Sequence, residues 1–271
     1  MSLLATVRVF AALARVSART AAELALDHSR RGAPGSGMPM TFEGFRTSSQ
    51  NATHDSCSTS LQVRTKISER ARWFGNRTVS LLGIDLVVTG ADLVPPGRAY
   101  VYMSNHQSQL DIPILFAALP SPTIRMLAKK ELFQIPVWGA ALRAAEFIEV
   151  DRSDHLRGMA SIDRAAQLLR EGVSIYLAPE GTRSRDGRIG PLKKGGFHLA
   201  RTTGASIVPV AIRGTIDILP RGSFSMRPGM RVDVTIGAPI DPTAQPQGSR
   251  DLQELMAEVT AFLRRHVEPL N

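Results

Sequence analysis

A histidine and an aspartate five positions apart are the first candidates for chemistry. His106 and Asp111 bound most of the segment Asn-His-Gln-Ser-Gln-Leu-Asp at 105–111, directly after a short apolar run. An imidazole group titrates near neutral pH, and a neighbouring carboxylate fixes its tautomer and stabilises its charged form. Such a pair can take the proton of a hydroxyl group and make its oxygen nucleophilic.

The spacing restricts how the two side chains can meet. On a continuous helix, five positions separate them by about 140°, so they form a pair only if His106 lies on a loop and Asp111 lies at the start of the next helix. Asp111-Ile112-Pro113 favours such a helix start, because proline is tolerated in the first turn. Two structural interpretations stay open: Asp111 only caps the helix, and His106 is a hydrogen-bonded loop residue.

A basic loop follows a second apolar run. The segment Ala-Pro-Glu-Gly-Thr-Arg-Ser occupies 178–184, and Gly181 permits a tight turn whose backbone amides face an anion. Arginine offers a phosphate two donors and lysine offers a point charge. From 181 to 201 one acid, Asp186, opposes six bases, which are Arg183, Arg185, Arg188, Lys193, Lys194 and Arg201. The pattern suits a phosphate site, but the charge alone is more typical of a solvated basic loop.

The elements that must position these residues alternate along the chain. Strands are predicted at 84–90, 99–105, 123–128, 146–150, 173–179, 206–214 and 231–237. Helices are predicted at 111–119, 136–144, 154–171, 192–203 and 249–267. This alternation indicates a single α/β domain at 84–271, with a largely parallel or mixed central sheet flanked by helices.

Two helical segments precede this domain. Residues 2–27 predict an amphipathic helix with three arginines on one stripe, typical of a membrane surface, a targeting segment or a helix packed on the core. Residues 29–60 predict a flexible linker, so 1–60 form one N-terminal region. Residues 61–83 predict an interfacial helix, whose basic residues, Trp73 and Phe74 suit either a lipid interface or docking onto the domain.

Composition narrows the partners. The chain has 271 residues, a net charge of +9 and one cysteine, Cys57, which excludes an intrachain disulfide. The charge favours phosphate groups, anionic lipids, acidic carrier proteins or nucleic acid. The sequence contains no continuous run of 18 apolar residues, so a standard transmembrane helix is not expected. Motifs for a serine hydrolase elbow, a zinc hydrolase, a P-loop or a dinucleotide site are not found.

Taken together and in order, these segments resemble the glycerolipid acyltransferase family, most closely its bacterial 1-acyl-glycerol-3-phosphate acyltransferases. The segment at 105–111 matches the family block H-x-x-x-x-D, and 178–184 matches F-P-E-G-T-R-S with Ala178 in place of Phe. Phe147 to Arg152 is similar to F-I-x-R, with extra residues before the Arg. Lys193 to Phe197 fits K-x-G, and 207–212 is similar to the V-P-V strand. The resemblance covers roughly 73–240.

The resemblance implies direct acyl transfer without a covalent acyl-enzyme. His106 is expected to deprotonate the acceptor hydroxyl and Asp111 to orient His106. The alkoxide then attacks a fatty acyl thioester on coenzyme A or acyl carrier protein, and 1-acyl-glycerol-3-phosphate becomes phosphatidic acid. The residues expected to bind the acceptor and its phosphate are Arg152, Glu180, Gly181, Thr182, Arg183, Lys193 and Lys194. No cofactor and no metal are expected.

The expected partners are a lysophospholipid acceptor, an acyl thioester and a membrane surface, and not nucleic acid. The protein is expected at the cytoplasmic face of a membrane, peripheral or monotopic, with organellar targeting by residues 1–30 left open. One alternative keeps this chemistry on another acceptor, such as glycerol-3-phosphate, another lysophospholipid or an amino-acid lipid. The alternative of another class is a non-enzymatic protein that binds anionic lipids.

Overall fold

The computed structural model describes residues 51–136, 138–151, 155–223, 225–243 and 250–268. The predicted helix at 2–27 and the part of the predicted linker before residue 51 lie outside the described residues.

Strands and helices alternate as the sequence predicts. The strands are β1 (Asp85–Thr89), β2 (Val101–Ser104), β3 (Ile124–Lys129), β4 (Ile148–Val150), β5 (Ser174–Leu177), β6 (Ile207–Arg213) and β7 (Arg231–Ile236). The helices are α1 (Asn51–Leu82), α2 (Asp111–Ala118), α3 (Lys130–Phe133), α4 (Trp138–Ala144), α5 (His155–Arg170), α6 (Gly195–Thr203), α7 (Thr215–Ile218) and α8 (Leu252–Val267). The predicted α/β class is confirmed, whereas the short helices α3 and α7 and a 3-10 turn at Ala91–Leu93 were not predicted.

Helix α1 begins earlier than predicted. It starts at Asn51, within the segment that was predicted to be a linker, rather than near residue 61. Residues 51–60 are rich in Ser and Thr but contain no Gly or Pro. Because those polar residues cost a helix only a fraction of what Gly or Pro costs, the segment extends the packed helix that follows.

One mixed sheet organises the described residues, in the strand order β1-β7-β6-β2-β5-β3-β4. The five strands β2 to β6 run parallel to one another, while β7 is antiparallel to β6 and parallel to β1. The carboxyl ends of the neighbours β6, β2 and β5 therefore meet at one edge of the sheet. In open α/β sheets this edge is where ligands bind.

Helices cover both faces of the sheet. Tyr102 of β2 packs in a cluster with residues of α1 and α2. Its neighbours Val101 and Met103 point to the other face and pack with residues of α5, α6 and α8. Alternate residues of a strand point to opposite faces, so a strand buried on both sides reads as the continuous apolar run seen in the sequence.

Helix α1 docks onto α2. A Cβ atom at Gly75 would collide with the carbonyl oxygen of Pro113, so glycine permits the close approach of the two helices. Arg72 Nη2 donates to the carbonyl oxygens of Leu119 and Ser121, both 3.2 Å away, at the carboxyl end of α2. Among the described residues, every helix is too short or too polar to cross a bilayer.

A buried arginine joins α1 to the sheet. Arg125 on β3 is fully buried and donates to Ser68 Oγ of α1 at 3.0 Å. Its Nη2 lies 3.4 Å from Glu146 Oε2, which also accepts a hydrogen bond of 2.8 Å from Arg64 Nε of α1. A buried charge of this kind is stable only when it is paired, so this group fixes where α1 lies on the domain.

Candidate active site

His106 and Asp111 are paired. His106 lies on the loop after β2 and Asp111 is the first residue of α2, the arrangement that their spacing requires. The His106 Nδ1 atom lies 2.7 Å from Asp111 Oδ2. A carboxylate acceptor at this distance places the imidazole proton on Nδ1, which leaves Nε2 as the basic nitrogen. Among the described residues nothing hydrogen-bonds Nε2, and 22% of the His106 side chain is exposed.

The Asp111 carboxylate is held on all sides. Its side chain is fully buried, and Oδ2 also accepts from the backbone N–H groups of Gln107 at 2.7 Å and Ser108 at 2.9 Å. Its Oδ1 accepts a hydrogen bond of 2.6 Å from Thr215 Oγ1. The interpretation of Asp111 as a helix cap is wrong, because Leu110 is the N-cap residue and no side chain of the described residues caps the helix. The Asp111 carboxylate binds amides of the preceding loop and contacts the histidine ring.

Glu180 binds the backbone of two loops. Its Oε1 accepts from the N–H of His106 at 2.9 Å and its Oε2 from the N–H of Gly190 at 3.0 Å. Burial raises the pKa of the Glu180 carboxyl above its ordinary value, although the hydrogen bonds from these two amides favour the charged form. Each oxygen of this predicted substrate-binding residue therefore already has a protein partner.

The basic loop clamps the histidine from its other backbone group. The N–H of Ser184 donates to the carbonyl oxygen of His106 at 2.7 Å. Gln107 Nε2 donates to the carbonyl oxygen of Gly187 at 3.0 Å. The two loops follow β2 and β5, which are adjacent and parallel, so the sheet places them side by side.

An arginine-rich pocket of about 430 Å³ opens beside this clamp. Glu180 and Ser184, which hold His106, line its wall, as do Thr182 and Asp186. Its basic lining consists of Arg183, Arg185, Arg188 and Arg221. The Arg183 guanidinium has no hydrogen-bond or ion-pair partner within the part of the chain that the structure describes. A pocket with this excess of guanidinium groups suits a phosphate.

Gly181 allows Lys193 to approach the turn. Gly181 has a φ of 70°, in the left-handed region that favours glycine. A Cβ atom there would lie 2.8 Å from Lys193 Cε and 3.0 Å from its Nζ. Any larger residue at 181 would therefore displace the lysine as well as strain the turn.

The other predicted site residues are placed as follows. Lys194 is exposed at the start of α6, and Arg152 lies outside the described residues. Two contributors were not predicted. Thr215 follows the V-P-V strand β6, and Arg221 lies beyond α7, where its Nη1 donates to the carbonyl oxygen of Arg183 at 2.8 Å. No spacing pattern pointed to either, because their loop reaches the site only through the order of strands in the sheet.

Comparisons with known proteins found related acyltransferases. A family model described as Acyltransferase matches residues 85–213. The chain is 39% identical over 140 residues to the chloroplastic 1-acyl-sn-glycerol-3-phosphate acyltransferase of Arabidopsis thaliana, covering 52% of this chain and 39% of that protein. It is 38% identical over 133 residues to 1-acyl-sn-glycerol-3-phosphate acyltransferase alpha of Homo sapiens, covering 49% and 47% respectively. The matched part thus spans less than half the length of these curated relatives.

A solved structure is similar over more of its length. It is the crystal structure of the 1-acyl-sn-glycerophosphate acyltransferase PlsC from Thermotoga maritima, with a TM-score of 0.66 and 31% sequence identity. The similarity covers 77% of this chain and 81% of that one. With the Acyltransferase match across β1 to β6, it shows that this chain belongs to the glycerolipid acyltransferase family.

Proposed function

We propose that this protein is an O-acyltransferase that transfers a fatty acyl chain to the free hydroxyl of 1-acyl-glycerol-3-phosphate, giving phosphatidic acid. The observation that carries the proposal is that the same residues contact the backbone of His106 and line the arginine-rich pocket. Glu180 and Ser184 both hold His106 and line the arginine pocket. When the phosphate of the acceptor binds in this pocket, we expect the free hydroxyl of the same acceptor molecule to lie close to His106.

The chemistry needs one base and no covalent enzyme intermediate. His106 Nε2 takes the proton of the acceptor hydroxyl while the Asp111 carboxylate stabilises the resulting imidazolium. The acceptor oxygen bonds to the thioester carbonyl carbon, and the carbon–sulfur bond breaks. The thiolate leaves and takes the proton from the imidazolium. The donor is an acyl thioester of coenzyme A or acyl carrier protein.

The pocket supports a phosphate-bearing acceptor. The Arg183 guanidinium offers two parallel donors, and no carboxylate of the described residues pairs with it. Lys193 lies over the Gly181 turn at the same loop. We assign Glu180 to positioning these groups rather than to binding the acceptor, since a carboxylate repels a phosphate and its oxygens hold two amides.

We also propose that the protein works at the cytoplasmic face of a membrane, as a peripheral or monotopic protein. Both the acceptor and its diacyl product reside in a bilayer, so the site must reach the lipid surface. Helix α1 packs on α2, the helix that begins with Asp111, and Trp73 of α1 is 41% exposed. Interfacial tryptophan and a basic protein favour anionic lipid surfaces.

A panel of acceptors tests the function. The full chain is mixed with one long-chain acyl-CoA, or with the matching acyl carrier protein thioester, and 1-acyl-glycerol-3-phosphate, glycerol-3-phosphate or lysophosphatidylcholine. Released thiol and the lipid product are both measured. We expect thiol release to depend on acceptor, to be fastest with 1-acyl-glycerol-3-phosphate and to yield phosphatidic acid in equal amount.

The same panel separates the alternatives. A faster reaction with another acceptor would keep the chemistry and replace the substrate. Equal thiol release without acceptor would mean hydrolysis rather than transfer. Lipid binding with no thiol release from either donor would mean a binding protein and would overturn the proposed activity.

A further inference from the structure

A buried hydroxyl group contacts the side of Asp111 that the histidine does not use. Thr215 Oγ1 lies 2.6 Å from Asp111 Oδ1, and both residues are fully buried. An ionised carboxylate only accepts hydrogen bonds, so the hydroxyl of Thr215 is the donor. Among the described residues, Thr215 is the single hydrogen-bond donor to Oδ1, whereas Oδ2 has three.

The main chain around Thr215 is tied to the histidine loop. The Asn105 side-chain amide, just before His106, exchanges two hydrogen bonds of 2.8 Å with the backbone of Ile212 on β6. Ser108 Oγ donates to the carbonyl oxygen of Leu219, just after α7, at 2.8 Å. Contacts on both sides of Thr215 in the chain therefore hold its main chain against the loop that precedes Asp111.

The turn between β6 and Thr215 has a conformation that requires glycine. Gly214 has a φ of 100°, and a Cβ atom there would collide with the carbonyl oxygen of Arg231 on β7. Only glycine fits this turn, which directs Thr215 back under the end of the sheet, toward α2. The main-chain conformation at this turn therefore fixes the position of the Thr215 hydroxyl next to Asp111.

The contact decides which way the carboxylate faces. Rotation about the Cβ–Cγ bond of Asp111 would move Oδ2 away from His106, and the hydrogen bond from Thr215 to Oδ1 opposes that rotation. We propose that Thr215 is a positioning residue for the His106–Asp111 pair, whose hydroxyl locks the Asp111 carboxylate so that Oδ2 faces Nδ1 of the base. This inference rests on the proposed acyl transfer, in which His106 is the base.

The test compares Thr215→Val, which keeps the shape and loses the hydroxyl, with Thr215→Ser, which keeps the hydroxyl. In Thr215→Val we expect kcat to fall about 10- to 100-fold, the loss expected for one hydrogen bond to a charged group. The KM for the acceptor should change little, because Thr215 does not line the arginine pocket. Thr215→Ser should restore most of kcat. Thr78→Val is the matched control, since Thr78 is a buried threonine of α1 that donates to Phe74 O at 2.9 Å, and its kcat should stay unchanged.

A second readout does not depend on activity. The imidazole resonances of His106, assigned by their loss in His106→Gln, report its hydrogen bond to Asp111. They should shift in Thr215→Val and return in Thr215→Ser, even if no acceptor is ever acylated, so failure of the proposed function and failure of this inference are distinguishable. If Thr215→Val unfolds, Thr215→Ala is measured in its place. Unchanged kcat and His106 resonances in the variant without the hydroxyl, or equal damage in the serine variant, would overturn the proposal.

Discussion

The carboxylate of Glu180 lies 2.9 Å from the backbone nitrogen of His106, 74 positions earlier in the chain. Its other oxygen holds Gly190 in the arginine-rich loop. One buried side chain thus fixes His106 and the arginine-rich pocket relative to each other. In the proposed acyl transfer, such a link would support the rate by positioning the acceptor and the base.

Glu180→Gln should therefore impair turnover more than folding. The glutamine oxygen can accept from one amide, while its NH2 group meets the other N–H and leaves it without an acceptor. We expect a loss of about 1–3 kcal/mol of stability, the cost of one unsatisfied buried donor, together with a lower kcat. Thermal melting and thiol release measure the two effects. Full activity in a destabilised variant would show that the link matters only for folding.

His106→Ala should remove transfer and leave the fold intact, because the side chain is partly exposed and lies on a loop. A general base contributes about 10²- to 10⁴-fold, so a residual rate above about a tenth of the wild-type rate would exclude that role.

Asp111→Asn should be less damaging than His106→Ala, since an amide still accepts from loop N–H groups but cannot stabilise the imidazolium. Steady-state rates and circular dichroism of the purified variants give the comparison.

Arg183→Lys should raise the KM for the acceptor and change the KM for the donor less. Lysine keeps the charge but loses the two parallel donors that a phosphate binds. Because no partner within the described part of the chain holds the Arg183 guanidinium, the melting temperature of the Arg183→Lys variant should equal that of the wild type. Arg170→Lys, at the exposed end of α5, is the control for a charge outside the pocket. An unchanged acceptor KM with a lower melting temperature would mark Arg183 as structural.

Glu146→Gln should destabilise the protein at neutral pH and lose its effect in acid. Burial alone would raise the pKa of Glu146, but the hydrogen bond from Arg64 and the charges of Arg125, Arg64 and Arg164 outweigh it, so the pKa lies below the ordinary 4.5. A lowered pKa contributes stability above 4.5 that is lost as the pH falls through the folded-state value.

Urea unfolding of wild type and Glu146→Gln at pH 7 and pH 3 measures this difference. We expect roughly 3 kcal/mol at pH 7, the scale for removing one partner of a buried ion pair, and a smaller difference at pH 3. Glu258→Gln is the control, because Glu258 pairs with Arg250 at the surface. A difference between wild type and Glu146→Gln that does not change with pH would contradict the assigned cause.

Trp73→Ala should weaken binding to vesicles that contain anionic lipid, because 41% of Trp73 is exposed on α1. Its neighbours differ: Phe74 packs against the core and Arg72 holds the end of α2, so their variants should lose stability instead. Phe74→Ala is expected to cost about 2 kcal/mol or more. Added salt should weaken wild-type binding, because it screens surface charge. Sedimentation with vesicles measures binding, and firm retention of the protein after carbonate washing would exclude a peripheral attachment.

The sequence by itself determined the elements and the candidate residues for the chemistry. Within the α/β domain, each of the seven predicted strands and five predicted helices is present in the described residues, because runs of apolar residues and turn-forming Gly and Pro act locally. Asp111-Ile112-Pro113 likewise indicated where α2 begins, and the basic run after Gly181 supplies three of the arginines that line the pocket.

Only the tertiary structure decided which distant residues meet. Thr215 contacts Asp111 across 104 positions and Arg221 contacts Arg183 across 38, since β6, β2 and β5 are neighbours in the sheet. Arg125, whose residue type predicts exposure, is fully buried because Glu146 and α1 partner it. Periodicity describes one element at a time, whereas strand order and the pairing of buried charges depend on the whole chain having packed.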